Sequence, residues 1–310
     1  MRKFLLAALA AAFATAVAAP AVVNSPYKYL SPWDPAHGVQ TWAFASGECG
    51  EERWGQLDGR QVAETQVPRF AQAGVGYIIS TGGQGAAFTC ASDAGMEAFV
   101  SRYKSPQLIG FDFDIEHSQT PAQIDSLVQR IATVQKAHPH WRFSFTLATH
   151  AASDGSNRSL NKTGEQVLAA LRKHGVQDYV LNLMVMDYGP ASRKVCVVKA
   201  GRCDMGASAV QAARNVHRKY KVPFAQIALT PMIGVNDVVE NVYTLPDARA
   251  TVDAVRTMGM AGVHFWSLDR DKPCSKPTKG ADPACSTMPD VAAGAYQRIL
   301  APAAPAGDAR

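Results

Sequence analysis

Seven short runs rich in β-branched and aromatic residues recur along the chain, and segments of helical period separate them. They span residues 39–45, 75–80, 108–116, 142–149, 179–188, 226–232 and 262–268. Several are apolar on both faces, as strands of a parallel sheet covered by helices must be. A short extra strand near Arg53-Trp54-Gly55 brings the expected count to eight. Among the intervening segments, 121–137 has the clearest helical pattern. Thr120 is placed to cap it, and Pro121 falls at the first helical position, where a missing N–H costs nothing. Ile124, Leu127, Val128, Ile131 and Val134 form one apolar stripe. Segments 163–175, 207–220 and 245–258 look similar. Strands alternating with helices at this spacing predict an α/β protein, a (β/α)8 TIM barrel in a single domain. An open doubly wound sheet is the competing arrangement, but no Gly-rich dinucleotide loop follows the first run.

The ends fall outside this pattern. Arg2 and Lys3, the apolar and small residues of 4–17, and the small-residue stretch before Pro20 predict a signal peptide over 1–19. The apolar run is short for a bilayer span, which needs about 20 residues. Export, with no membrane association, is therefore expected. Residues 20–38 read as a surface lead-in, 39–300 as the barrel, and the Ala/Pro-rich 301–310 as a disordered tail. The formal charge is +5, of which Arg2 and Lys3 supply two. That is too mild, and too scattered, for a nucleic-acid partner.

Export changes how the six cysteines read. An even number in an oxidising compartment favours disulfides, and no Cys-x-x-Cys or paired His/Cys spacing suggests a metal. Cys196 with Cys203, and Cys274 with Cys285, can close small loops, which leaves Cys49 with Cys90. Other pairings remain open from sequence.

The local chemistry concentrates in Gly110-Phe111-Asp112-Phe113-Asp114-Ile115-Glu116. A strand has a side-chain period of two, so Asp112, Asp114 and Glu116 share one face while Phe111, Phe113 and Ile115 share the other. In a barrel the acids point inward, with Glu116 at the C-terminal end where barrel sites are built. Stacked carboxylates repel and are costly to bury, so packing does not explain them. A divalent-metal site of the form Asp-x-Asp-x-Glu is the alternative to acid–base catalysis.

This stretch resembles the signature of glycoside hydrolase family 18, Asp-x-x-Asp-x-Asp-x-Glu, with Ile109 where the outermost Asp usually stands. Ser80-Thr81-Gly82-Gly83 resembles the family's Ser-x-Gly-Gly motif after the third strand. Residues 182–189, Asn-Leu-Met-Val-Met-Asp-Tyr-Gly, resemble the sixth strand, and 264–269, His-Phe-Trp-Ser-Leu-Asp, the eighth. The short gap before the last strand resembles compact bacterial members without an inserted α+β subdomain.

The resemblance implies a secreted hydrolase of chitin or other β-1,4-linked N-acetylglucosamine oligosaccharides, acting by a retaining, substrate-assisted mechanism. Glu116 is implied as general acid and base, Asp114 as the group orienting the substrate acetamide, and Asp112 as its support. Asp187 is implied in the sugar-binding wall and Trp266 as the floor of the cleavage subsite. Met186 occupies the slot of a family Tyr, with Tyr188 as a shifted source of the hydroxyl. Met184 is a cleft candidate, although core packing is expected for at least one of Met184 and Met186. Trp42 and Trp54 are candidates for distant subsites. Ser80, Gly82 and Gly83 are expected to pack beneath the acids. No cofactor and no metal are expected, and the expected state is a monomer. An endo-β-N-acetylglucosaminidase acting on other glycans, a non-catalytic sugar-binding member and a metal-dependent hydrolase are the alternatives.

Overall fold

The computed structural model describes residues 22–29 and 31–301. The expected signal peptide and all of the expected tail except Ala301 lie outside the described residues. Eight parallel strands close into a barrel. They are β1 (Ser25–Lys28), β2 (Gln40–Ala45), β3 (Tyr77–Gly82), β4 (Leu108–Asp114), β5 (Arg142–Ala148), β6 (Val180–Met184), β7 (Ile227–Thr230) and β8 (Gly262–Phe265). Each pairs with its sequence neighbours, and β8 closes the ring on β1. Helices α1 (Gly59–Ala73), α2 (Asp93–Arg102), α3 (Pro121–Ala137), α4 (Lys162–Lys173), α5 (Met205–Tyr220) and α6 (Leu245–Met258) connect β2 through β8. A short α7 (Gln297–Leu300) follows the last strand. No helix among the described residues is long and apolar enough to cross a membrane.

The TIM-barrel expectation holds, with one strand misplaced. The stretch at Arg53–Trp54 forms a small hairpin with Leu57–Asp58 outside the barrel. The eighth barrel strand is instead Ser25–Lys28, inside the segment expected to be a lead-in. All four of its residues are buried. Its brevity and Pro26 hide it from a search for apolar runs. Helix α3 matches its expected bounds, and Thr120 caps it in a reciprocal box with Gln123. The three expected disulfides, Cys49–Cys90, Cys196–Cys203 and Cys274–Cys285, are present. They brace loops at the C-terminal ends of β2, β3, β6 and β8.

The barrel wall explains the phenylalanines of β4. Phe111 and Phe113 face outward and are fully buried. Phe111 packs on Phe99 of α2 and on Trp141, and Phe113 stacks on Phe145 of β5. Ile109 is also on this side, where a Cβ on Gly76 would come 2.8 Å from its Cδ1.

Gly82 has a φ of +83°, and a Cβ there would lie 2.1 Å from the carbonyl oxygen of Asp114. The conformation and the close approach both demand glycine. Gly82→Ala is expected to cost about 3 kcal/mol of stability, at the upper end for single substitutions. Urea unfolding measures it, and a change under about 0.5 kcal/mol would contradict this account of the β3–β4 contact.

Candidate active site

The interior of the barrel is built around Asp112, which is 2 % exposed. A carboxylate has about four acceptor positions, and here four hydroxyls donate to them. Tyr27 Oη on β1 and Ser80 Oγ on β3 donate to Oδ2, at 2.9 and 2.7 Å. Ser144 Oγ and Thr146 Oγ1 on β5 donate to Oδ1, at 2.6 and 2.8 Å. The direction of these protons is fixed from further round the barrel. Asn182 on β6 donates through its amide nitrogen to Tyr27 Oη and Thr146 Oγ1, each at 2.9 Å. Thr230 on β7 donates to the Asn182 carbonyl oxygen at 2.7 Å. Tyr27 and Thr146 therefore accept from Asn182 and turn their own protons toward Asp112. Burial pushes the Asp112 carboxyl above its ordinary range, and these donors offset only part of that rise.

Asp114, one pleat further along β4, has the opposite environment. It is 6 % exposed, and its Oδ1 has no hydrogen-bond partner. Burial, then the negative charges of Glu116 and Asp112, hold its carboxyl well above the usual range. The two carboxyls on one strand face thus differ: burial raises both, and only Asp112 has hydroxyl donors that lower it again, so Asp114 is raised further.

Glu116 lies just past the end of β4, where Ile115 still bonds to Thr146. Asp114 and Glu116 line a cleft of about 530 Å³ at the C-terminal end of the barrel, together with Tyr27, Phe44, Met184, Asp187, Asp237 and Trp266. Burial raises the Glu116 carboxyl first. His117 lowers it, and Asp187 and Asp237 raise it again. A neighbouring anion disfavours a second one, so Asp187→Asn is expected to lower the Glu116 pKa. The asparagine oxygen can still accept the Val238 N–H that Asp187 Oδ1 accepts at 2.8 Å, which keeps the geometry. A carboxyl-carbon NMR titration reads the shift, and an unchanged or higher Glu116 pKa would contradict it.

Trp266 forms part of the cleft surface and stacks on Phe44, with ring centroids 5.6 Å apart and planes 14° from parallel. Gly83 makes room for this pair, since a Cβ there would come 2.7 Å from the Phe44 ring. Ser80 donates to Asp112, and Gly82 meets the Asp114 backbone.

Four expectations are corrected. Trp42 is fully buried and does not face the cleft: it stacks on Tyr77 at 4.5 Å and meets Phe70 of α1 edge-on. The pairing of β2 with β3 shifts register between Trp42 and Ala45. Such an irregularity breaks period-two alternation and re-aims side chains. It sends Trp42 outward and Phe44 into the cleft. Trp54 is also core, donating from its ring nitrogen to Tyr103 Oη at 2.8 Å. Tyr188 is 4 % exposed, lies in the hydrophobic core and leaves its hydroxyl without a partner. Asp187 before it adopts a left-handed φ of +50°, which turns the chain after β6 and drives Tyr188 inward. Met184 and Met186 both reach the cleft, where core packing was expected for at least one.

Sequence reasoning missed Tyr27, Phe44, Thr146, Asn182, Thr230 and Asp237. Ser144 and Thr146 did carry a signal, two hydroxyls at strand spacing on the face opposite Phe143 and Phe145. So did Asn182, a lone amide inside an apolar run.

No protein-family model matches the chain. A protein of Escherichia coli (strain K12) described as a "Probable bifunctional chitinase/lysozyme" is 29% identical over 260 residues, covering 79% of this chain and 26% of that one. Endochitinase 11 of Metarhizium anisopliae is 28% identical over 253 residues, covering 76% of this chain and 48% of its own length. The chain thus spans about a quarter to a half of these relatives. Among solved structures, the catalytic domain of a hyperthermophilic chitinase from Pyrococcus furiosus aligns with a TM-score of 0.70 at 25% identity. That match covers 91% of this chain and 95% of the neighbour. Catalytic-site mutants of active domain 2 of the thermostable chitinase from the same organism, complexed with chito-oligosaccharides, align with a TM-score of 0.71.

Proposed function

We propose that the chain is a family 18 glycoside hydrolase, as its likeness to chitinases supports, and that it hydrolyses β-1,4-linked N-acetylglucosamine chains with the substrate's own acetamide as nucleophile. The observation that carries this reading is the asymmetry of β4. Asp112 is saturated with hydroxyl donors, Asp114 presents an unpartnered buried oxygen, and Glu116 waits at the cleft edge with a raised pKa.

Each group then has one task. Glu116 is suited to carry a proton, because burial and the charges of Asp187 and Asp237 raise its carboxyl. It gives that proton to the glycosidic oxygen as the bond breaks. The acetamide carbonyl closes on the anomeric carbon and forms an oxazolinium ion. Asp114 Oδ1 takes the hydrogen bond from the acetamide N–H, and its charge stabilises the cation in a site with little water to screen it. Asp112 supports Asp114 from below, held in place by hydroxyls of strands β1, β3 and β5. Glu116, now a base, activates the water that opens the ring and restores the starting configuration. The Trp266 face, backed by Phe44, supports the apolar face of the sugar. The three disulfides fit an oxidising compartment, which supports export after removal of residues 1–19.

The test is a pair of oligosaccharides identical except at the sugar whose bond is cut. One carries N-acetyl there and the other a free amine. Only the acetylated one is expected to be cleaved. Comparable cleavage of both would rule out the acetamide as nucleophile.

A further inference from the structure

The charge on the cleft wall points beyond an all-acetylated substrate. Besides Asp114 and Glu116, the cleft surface carries Asp187 and Asp237, and no lysine or arginine lines it among the described residues. Its one basic side chain is His150, whose charged form is disfavoured by burial and by Arg158.

Nor is this wall a loose acidic cluster. Asn236, fully buried, accepts the Asp187 N–H and donates to the carbonyls of Met232 and Gly234. Asp187 Oδ1 in turn accepts the Val238 N–H at 2.8 Å. These bonds latch the loop after β7 onto the loop after β6 and place Asp237 in the wall. From behind, Val235 N donates to the Ser286 carbonyl.

Arg270, the positive charge acting on both Asp187 and Asp237, is 1 % exposed. Its guanidinium donates to the carbonyls of Ile233, Val235 and Asp282 rather than to a carboxylate. Asp237 itself is exposed to the cleft and takes part in none of the ion pairs among the described residues.

We propose that Asp237, with Asp187 beside it, binds the ammonium group of a glucosamine unit, so that the preferred substrate is a partly N-deacetylated β-1,4-glucosamine chain. This deepens the hydrolase reading and rests on it. The sugar that supplies the nucleophile must keep its acetyl group, so the amine belongs to a neighbouring unit. Rigidly held like charges repel one another, and a cationic ligand relieves that repulsion where a neutral hydroxyl does not.

The experiment compares kcat/KM on a soluble, partly deacetylated polymer and on the fully acetylated hexamer, at a pH where the amine is protonated. Products are sequenced by mass spectrometry. At low salt the mixed polymer is expected to be favoured about three- to fivefold per engaged ammonium, the scale of a solvent-accessible ion pair. The preference is expected to vanish near 0.5 M salt, where charges are screened within a few ångströms. New reducing ends are expected to be acetylated, with free amines enriched next to them. Asp237→Asn is expected to bring the preference ratio toward one. A wild-type ratio at or below one, with the acetylated hexamer still cleaved, overturns the proposal and leaves the hydrolase reading standing. A preference that Asp237→Asn leaves intact also overturns it. Cleavage of neither substrate overturns both.

Discussion

Glu116→Gln is expected to lower kcat on an N-acetylchitooligosaccharide by about three orders of magnitude, the upper range for a positioned acid–base group. Glutamine keeps the shape and the partial burial but can neither give nor take the proton. The loss should fall on kcat more than on KM, because the sugar wall at Trp266 and Asp187 is untouched. Glu116 lies beyond the last residue of β4, so the barrel should unfold at the same denaturant concentration as the wild type. A rate within tenfold of wild type would show that another group donates the proton. Asp187 and Asp237 are the other carboxyls on that part of the cleft wall.

Asp114→Asn is expected to cost about two to three orders of magnitude in kcat, the scale on which a group aimed at developing charge acts. Asparagine is close to isosteric with aspartate, and burial with the charges of Glu116 and Asp112 already disfavours the anion there, so folding should be unaffected or slightly improved. What the variant lacks is the negative charge that the proposed oxazolinium ion requires. A small loss, under about fivefold, would mean that the anionic form of Asp114 plays no part. The same substitution at Asp112 has a different expectation. Four hydroxyl protons point at that carboxylate, and an amide NH2 cannot accept them. Stability as well as rate should suffer there.

The acidic strand was legible because alternation alone puts three carboxylates on one face. The structure added the difference between them, which comes from residues scattered over five other strands. Tyr27, which with Thr146 links Asp112 to Asn182, sits in a four-residue strand with a proline, too short and too irregular for periodicity to reveal. The wrong assignment of Trp42 has a single cause. The register shift in β2 exchanges the roles of Trp42 and Phe44, and no propensity encodes that shift. Tyr188 failed for a similar reason, because the left-handed Asp187 turns the chain after β6. Asp237 could not be found locally at all. Its place depends on Asn236, on Asp187 about fifty residues earlier, and on the buried Arg270. Two helices were also missed: α1 carries Pro68 inside it and α2 carries Gly95 in its first turn, and both blur the helical signal. The disulfide pairs were accessible because two of them close short loops, which left one choice for the third.

The central claim is that the acetamide attacks the anomeric carbon from the face opposite the departing sugar and that water then returns on the original face. The anomeric configuration of the first product, followed by proton NMR in the first minutes of N-acetylchitotetraose hydrolysis, tests it most directly. The β-anomer is expected to appear first and then relax to the equilibrium mixture. Initial formation of the α-anomer would contradict the mechanism and place the attacking water, not the acetamide, opposite the leaving group.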